Sequence, residues 1–108
     1  MDCNLVVLSG KLAAVPELRV FESGSRLVRY LVTVRSDAPR RRVDVVPVTW
    51  WDPPDAVADE LPEPGREMWV TGMVQRRFWE TEEGRRSRLE VVAYQVEAKP
   101  SELVPAEA

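Results

Sequence analysis

Between residues 27 and 51 the chain alternates apolar and polar residues twice over, and that period leaves few folds open. In Leu27–Ser36, Val28, Tyr30, Val32 and Val34 fall on one side and Arg29, Leu31, Thr33 and Arg35 on the other. Val43–Trp51 repeats the pattern, with Val46, Val48 and Trp50 against Val45, Thr49 and Trp51. Side chains two apart share a face in an extended strand, so both segments read as half-buried β-strands. By the same parity Trp50 belongs to the core and Trp51 to the surface. Asn4–Ala13 alternates weakly and reads as a first strand, interrupted by Gly10 and continued in extended form through Pro16–Val20. Glu22-Ser23-Gly24-Ser25 is a turn. Glu67–Arg77 and Arg86–Val96 supply the fourth and fifth strands.

One short helix breaks the series. Asp52-Pro-Pro-Asp55 offers Asp52 as an N-cap and Pro53 at the first helical position. The helix is expected to reach about Leu61 and to stop at Pro62, Pro64 and Gly65. Three strands, one helix and two strands are the element order of an all-β, five-stranded OB-fold barrel with its helix between strands 3 and 4. The 108 residues suit one such domain, expected over residues 1–97, with residues 98–108 as a short disordered tail.

The stretch MVQRRFWETEEGRRSRLE, residues 73–90, reads as a long hairpin arm. Arg76, Arg77, Phe78 and Trp79 run into an acidic turn, and Arg85, Arg86 and Arg88 lead back. Single-stranded nucleic acid asks for both ingredients, a flat π surface for bases and positive charge for phosphates. Phe78 and Trp79 are adjacent in a strand and so face opposite ways, which keeps both from stacking on one ligand face. With charged neighbours on either side, Trp79 reads as solvent-facing rather than core. The net charge of −3 weighs mildly against a polyanionic partner, but the distribution of charge decides. Arginine outnumbers lysine thirteen to two. Arginine stacks on bases and grips phosphate with a planar fork, although a genomic composition bias yields the same ratio.

At this point the residues resemble those of bacterial single-stranded DNA-binding proteins. Asn4-Leu-Val-Val-Leu-Ser-Gly10 looks like the first strand of that family, and Pro16-Glu-Leu-Arg19 with Ser23-Gly24 like its most recognisable signature. Val28-Arg29-Tyr30, then Asp44 to Trp51, then Pro64-Gly65, Val70-x-Gly72 and Arg77-x-Trp79 follow in the family's order over about residues 4–96. The resemblance implies that Trp51 and Trp79 stack on DNA bases. A third family aromatic falls where this chain has Val45, and a fourth in the loop Asp37–Arg42, which has none. Each stack contributes about 1–3 kcal/mol in OB-folds that bind single strands, so the two absent rings imply weaker binding unless Phe78 and the arginines compensate. The family also implies a homo-oligomer, a dimer or tetramer, with Asn4, Val6 and Leu8 of the first strand pairing between subunits and Trp69 near a subunit contact. Its acidic, enzyme-recruiting C-terminal tip has no counterpart in Pro105-Ala-Glu-Ala108, so recruitment of repair or replication enzymes is not expected.

Other chemistry has little to stand on. The chain has no histidine, a single cysteine (Cys3) and no Gly-rich phosphate loop, so no enzyme, metal site or cofactor is expected. Asp52, Asp55, Asp59 and Glu60 read as the solvated acids of a short helix rather than as a Mg²⁺ site. The N-terminus lacks the positive region of a signal peptide, and no apolar run is long enough to span a membrane, so a cytoplasmic, nucleoid-associated protein is expected. The expected activity is sequence-nonspecific binding of single-stranded DNA in replication, recombination or repair. Its residues are Trp51 and Trp79 for bases, and Arg29, Arg35, Arg77, Arg86 and the loop Arg40, Arg41 and Arg42 for phosphates. The alternatives are RNA binding, or a diverged OB-fold that assembles or binds protein and has lost tight DNA binding.

Overall fold

The computed structural model describes residues 1–100. They form β1 (Val6–Leu12), β2 (Glu17–Val20), β3 (Arg26–Ser36), β4 (Arg42–Trp51), α1 (Asp55–Asp59), β5 (Glu67–Thr81) and β6 (Gly84–Ala98). The sheet order is β1-β5-β6-β4-β3-β2, and β3 also pairs back to β1 through Lys11↔Thr33 and Leu12↔Val32. The sheet therefore closes on itself. β2 takes over from β1 along β3, from Glu17↔Arg29 to Val20↔Arg26, so β1 and β2 form one bent wall of a five-walled OB-fold barrel.

Two glycines permit the tight crossings that closure requires. A Cβ on Gly10 would drive into the Thr33 carbonyl, and one on Gly72 into the Val92 carbonyl. Gly10 thus does not interrupt β1; it lets β1 lean onto β3. Gly72 sits at a bulge. Thr71 pairs with Gln95 and Gly72 with Ala93, leaving Tyr94 as the extra residue.

The interior is filled by Leu12, Val28, Tyr30, Val32, Val48, Trp50, Met68, Val70, Val91, Ala93 and Val96. Each fully buried side chain of this size contributes about 1.5–3 kcal/mol, which is what holds the alternating faces inward. The parity of the tryptophan pair holds: Trp50 is 8% exposed and Trp51 48%. Burial pushes the Tyr30 phenol up to about 12.

The helix is shorter than expected, and its cap differs. It runs only from Asp55 to Asp59, after Pro54, with no side-chain cap. Asp52 instead adopts a φ of +48° and exchanges two bonds with Arg26. Its N–H donates to the Arg26 carbonyl at 2.7 Å, and its carboxylate accepts the Arg26 N–H at 3.0 Å. An acid at a strand end has an orphan amide within reach, and that use outcompetes the helix cap. The Arg26 guanidinium reaches the Asp55 carboxylate, tying helix to strand. Ala58 is buried, and Val57 and Leu61 pack on the core.

β6 runs past the expected boundary at 97. The Lys99 N–H donates to the Glu67 carbonyl at 2.8 Å, and Arg66 Nε donates to the Lys99 carbonyl at 2.8 Å. The rest of the expected tail, residues 101–108, lies outside the described residues.

Candidate nucleic-acid interface

The outer face of the barrel follows from the same alternation that fills its inside. On β3 and β4 the pairs of outward parity are Leu27↔Trp51, Arg29↔Thr49, Leu31↔Pro47, Thr33↔Val45 and Arg35↔Val43, of which Leu27 and Thr49 are covered and buried. β2 adds Glu17 beside Arg29 and Arg19 beside Leu27. β6 joins β4 in parallel at Val48↔Val91 and Thr49↔Val92. The face continues there, because the Thr49 hydroxyl donates to Glu90 at 3.3 Å. From Glu90 outward, the same side of the β5–β6 hairpin carries Gln75↔Glu90, Arg77↔Arg88 and Trp79↔Arg86. One continuous surface thus holds Arg19, Arg29, Arg35, Arg77, Arg86 and Arg88, with Trp51 toward one end and Trp79 at the other.

Arg29 is the centre of this surface. It is half-buried, and its Nε has no hydrogen-bond partner among the described residues. Burial is the main force lowering its pKa, and the neighbouring charges of Arg77 and Arg19 push the same way. Glu17 and Glu90 oppose them without reversing the direction. A guanidinium drawn partly out of water, crowded by cations and short of an acceptor is a place where an anion gains most.

The aromatic groups differ in setting. Trp51 stacks on Phe21, with ring centroids 5.6 Å apart and planes inclined by 22°. Phe21 is itself 39% exposed, so the two rings make a platform rather than a plug. Trp79 stands on the arm, 39% exposed, opposite Arg86. The arm is longer than the sequence suggests. The strands run unbroken to Thr81 and from Gly84, around a turn in which the Thr81 hydroxyl donates to the Gly84 carbonyl at 2.8 Å. Gly84 takes a φ of +121°, a conformation that side chains disfavour.

Of the residues expected to meet DNA, Arg29, Arg35, Trp51, Arg77, Trp79 and Arg86 share this surface. Arg86 also pairs with Glu83 at 2.9 Å, an exposed contact of little strength. Arg40 and Arg41 are exposed at the tip of the β3–β4 hairpin. Arg42 departs from the expectation. It lies on the inward parity with Asp44, and its Nε donates to both Asp44 carboxylate oxygens at 3.0 and 2.9 Å. An acid two residues along the same strand face captures it. Three further residues of the surface, Arg19, Phe21 and Arg88, are not among the expected DNA contacts. For Arg19 and Arg88 the signal lies in strand parity. Phe21 gives none, since only the turn at Ser23–Gly24 brings it across to Trp51.

The residues expected between subunits also redistribute. Val6 and Leu8 are half-buried and pack against the core. Asn4 is occupied within its own chain. Its amide donates to the Val74 carbonyl at 2.8 Å and accepts the Val74 N–H at 2.8 Å, extending the β1–β5 ladder with a side chain. Trp69 is 43% exposed on the outer face, with Lys99 above its ring at 5.8 Å. Leu5 and Val7 point outward where Val6 and Leu8 do not.

A closed five-walled barrel with a cationic, ring-bearing outer face defines an OB-fold of the binding type. The chain belongs to the single-strand binding protein family, which it matches over residues 3–99. That family consists of DNA-binding proteins, not enzymes. No curated protein matches the chain in sequence. Among solved structures it is similar to the Plasmodium falciparum SSB complex with ssDNA, at 14% identity and a TM-score of 0.80. That likeness covers 93% of this chain and 97% of the other. Among the described residues, no helix is long and apolar enough to cross a membrane.

Proposed function

We propose that this protein binds single-stranded DNA without sequence preference, in replication, recombination or repair, along the outer face of β2, β3, β4 and the β5–β6 arm. The observation that carries the reading is Arg29: an under-partnered guanidinium beside Arg77 and Arg19, on a surface that exposes an indole toward each end. Phosphates meet Arg29, Arg77, Arg35 and Arg86, with Arg40 and Arg41 at the neighbouring tip. Bases stack on Trp79 and on the Phe21–Trp51 platform. Aromatic stacking is indifferent to base identity because every base has a π face. Membership of the family and the ssDNA held by the similar Plasmodium protein both favour this reading.

Tryptophan fluorescence titrated with poly-dT at two salt concentrations tests it. Quenching is expected, with affinity that falls steeply as salt rises. An absence of quenching at micromolar protein and low salt would overturn it and leave the assembly-module reading standing.

The protein also acts as a homo-oligomer in this proposal, a dimer or tetramer. β1 pairs with β5 from Val6 to Lys11 but meets β3 only at Lys11 and Leu12, so its other edge is open. An open edge beside the exposed Leu5, Val7, Trp69 and Tyr94 suits a second copy of the chain. Light scattering is expected to give at least twice the 12.3 kDa chain mass, and a monomer at micromolar concentration would overturn this part.

A further inference from the structure

The β5–β6 arm has a second face that the groove does not use. β4 pairs with β6 only at Val91 and Val92, so from Gln75 and Glu90 outward the arm is two strands with both faces open. One face carries Arg77, Trp79, Arg86 and Arg88. The opposite face carries Arg76↔Leu89, Phe78↔Ser87 and Glu80↔Arg85. Phe78 is 51% exposed and Leu89 53%. A solvated arm has no structural need for large apolar groups on both faces, and neither of these touches the core cluster. The Arg85 guanidinium lies 4.4 Å from the centre of the Phe78 ring, and Arg76 donates to the Ser87 hydroxyl at 3.1 Å. Arg85 is thereby held over the exposed ring, and Arg76 is fixed on Ser87, the cross-strand partner of Phe78.

The geometry points to a second single-strand contact on this back face, so that one DNA strand is held on both sides of the arm. The face repeats the chemistry of the groove, a π surface with fixed guanidiniums, and an arginine laid on a phenyl ring extends the stack for a base. Its one carboxylate is Glu80, against Arg76 and Arg85, so the charge favours a polyanion over an acid-poor apolar partner. Glu82 and Glu83 occupy the turn and repel phosphate there, which leaves the open edges of the arm as the crossing point. The second contact is intramolecular once the groove is filled, so it serves only strands long enough to reach round.

This inference rests on the proposed single-strand binding, and the experiment separates the two. The full chain and the double variant Phe78→Ala, Arg85→Ala are titrated with oligo-dT of two lengths, one spanning the groove and one several times longer. The variant is expected to bind the short oligomer as the native chain does and the long one about tenfold more weakly. Equal affinity of variant and native chain for the long oligomer overturns the second contact while leaving groove binding intact. Equal loss at both lengths also overturns it, because the residues then only shape the arm. If the native chain binds neither oligomer, both readings fall. A change of mass in light scattering would make the face a subunit contact and overturn it as well. A second readout places Phe78→Trp in a Trp79→Phe background. Long oligo-dT is expected to quench it more than the Trp79→Phe chain alone, and identical quenching argues against contact.

Discussion

The β3–β4 and β5–β6 hairpins leave the same end of the barrel, because β4 and β6 run parallel where they pair and both tips precede that pairing. Their outer faces could hardly differ more. The β3–β4 face beyond Arg29 and Thr49 presents Leu31↔Pro47, Thr33↔Val45 and Arg35↔Val43, aliphatic for the most part. The β5–β6 face presents Arg77↔Arg88 and Trp79↔Arg86. The insides differ too. β3 and β4 supply Val28, Tyr30, Val32, Val48 and Trp50 to the core, whereas β5 and β6 supply core residues only up to Val91 and nothing along the arm. One hairpin is wall first and surface second. The other is wall up to Val91 and, along the arm beyond it, almost purely surface, where packing on the core places no constraint on rings and charges. The β3–β4 face has no ring at Val45, so on the proposed reading base stacking falls to Trp79 on the arm and to the Phe21–Trp51 platform.

The largest expected effect tests that division directly. Trp79→Ala should weaken poly-dT binding by about tenfold or more, at about 1–3 kcal/mol per stacked base. The thermal midpoint should stay near the native value, since Trp79 lies outside the core cluster. Val45→Ala, on the other hairpin, should change affinity little. Comparable losses from the two substitutions would break the comparison, and collapse of the fold in Trp79→Ala would show that the arm is part of the structural core. The reverse substitution sharpens it. Val45→Trp places a ring on the aliphatic face, where Val45 is 54% exposed with room to accept it. Binding is expected to tighten by up to about tenfold by the same stacking figure. No gain would mean that the strand does not pass over this hairpin.

Much of this surface is legible in the amino-acid sequence, and the reason is the period of two. Alternation alone separates Trp50 from Trp51 and puts Arg29, Arg35, Arg77 and Trp79 on outward positions, because a strand leaves a side chain only two directions. The failures are mostly cases where a local rule meets a long-range partner. Asp52 has the sequence of a helix cap, but the Arg26 amide from another strand claims its carboxylate. Asn4 reads as an edge residue free for a neighbour, but Val74, seventy residues away, takes both ends of its amide. Phe21 lies outside the alternating runs, so nothing in its neighbours announces Trp51. Arg42 reads with Arg40 and Arg41 as one charge run, while its nearer relationship is to Asp44 on the same strand face.

Arg29 links the two hairpins, and its removal should separate binding from stability. Arg29→Met keeps much of the aliphatic stem and deletes a partly desolvated cation with an unpartnered Nε. Folding should be unchanged or more stable, because an unmet donor and its crowding by Arg77 are both removed. DNA binding should weaken, and the slope of log affinity against log salt should become shallower by about 0.7, the value for one phosphate contact on a single strand. A stability loss with an unaltered salt slope would make Arg29 a structural residue of the wall instead.

The smallest effect concerns the one loop arginine that the β3–β4 hairpin keeps to itself. The Arg42 hydrogen bond pulls the Asp44 carboxylate below its ordinary pKa, and the same bond raises that of Arg42. With the folded pKa of Asp44 lowered, the pair is intact above the usual carboxylate range and is lost only as pH falls through the depressed value. At neutral pH Arg42 is therefore held, although Arg42 is exposed, Asp44 is only half-buried and salt screens their attraction. Asp44→Asn removes the carboxylate that holds Arg42 and releases the cation. Poly-dT binding at low salt should tighten by less than about threefold, a gain that fades as salt rises. A steeper salt slope in the variant would show that Arg42 has joined the strand, and that self-pairing, not position, kept this hairpin's charge out of the site. An unchanged slope would show the opposite: Arg42 stays off the strand even when freed, and the β3–β4 tip contributes through Arg40 and Arg41 alone.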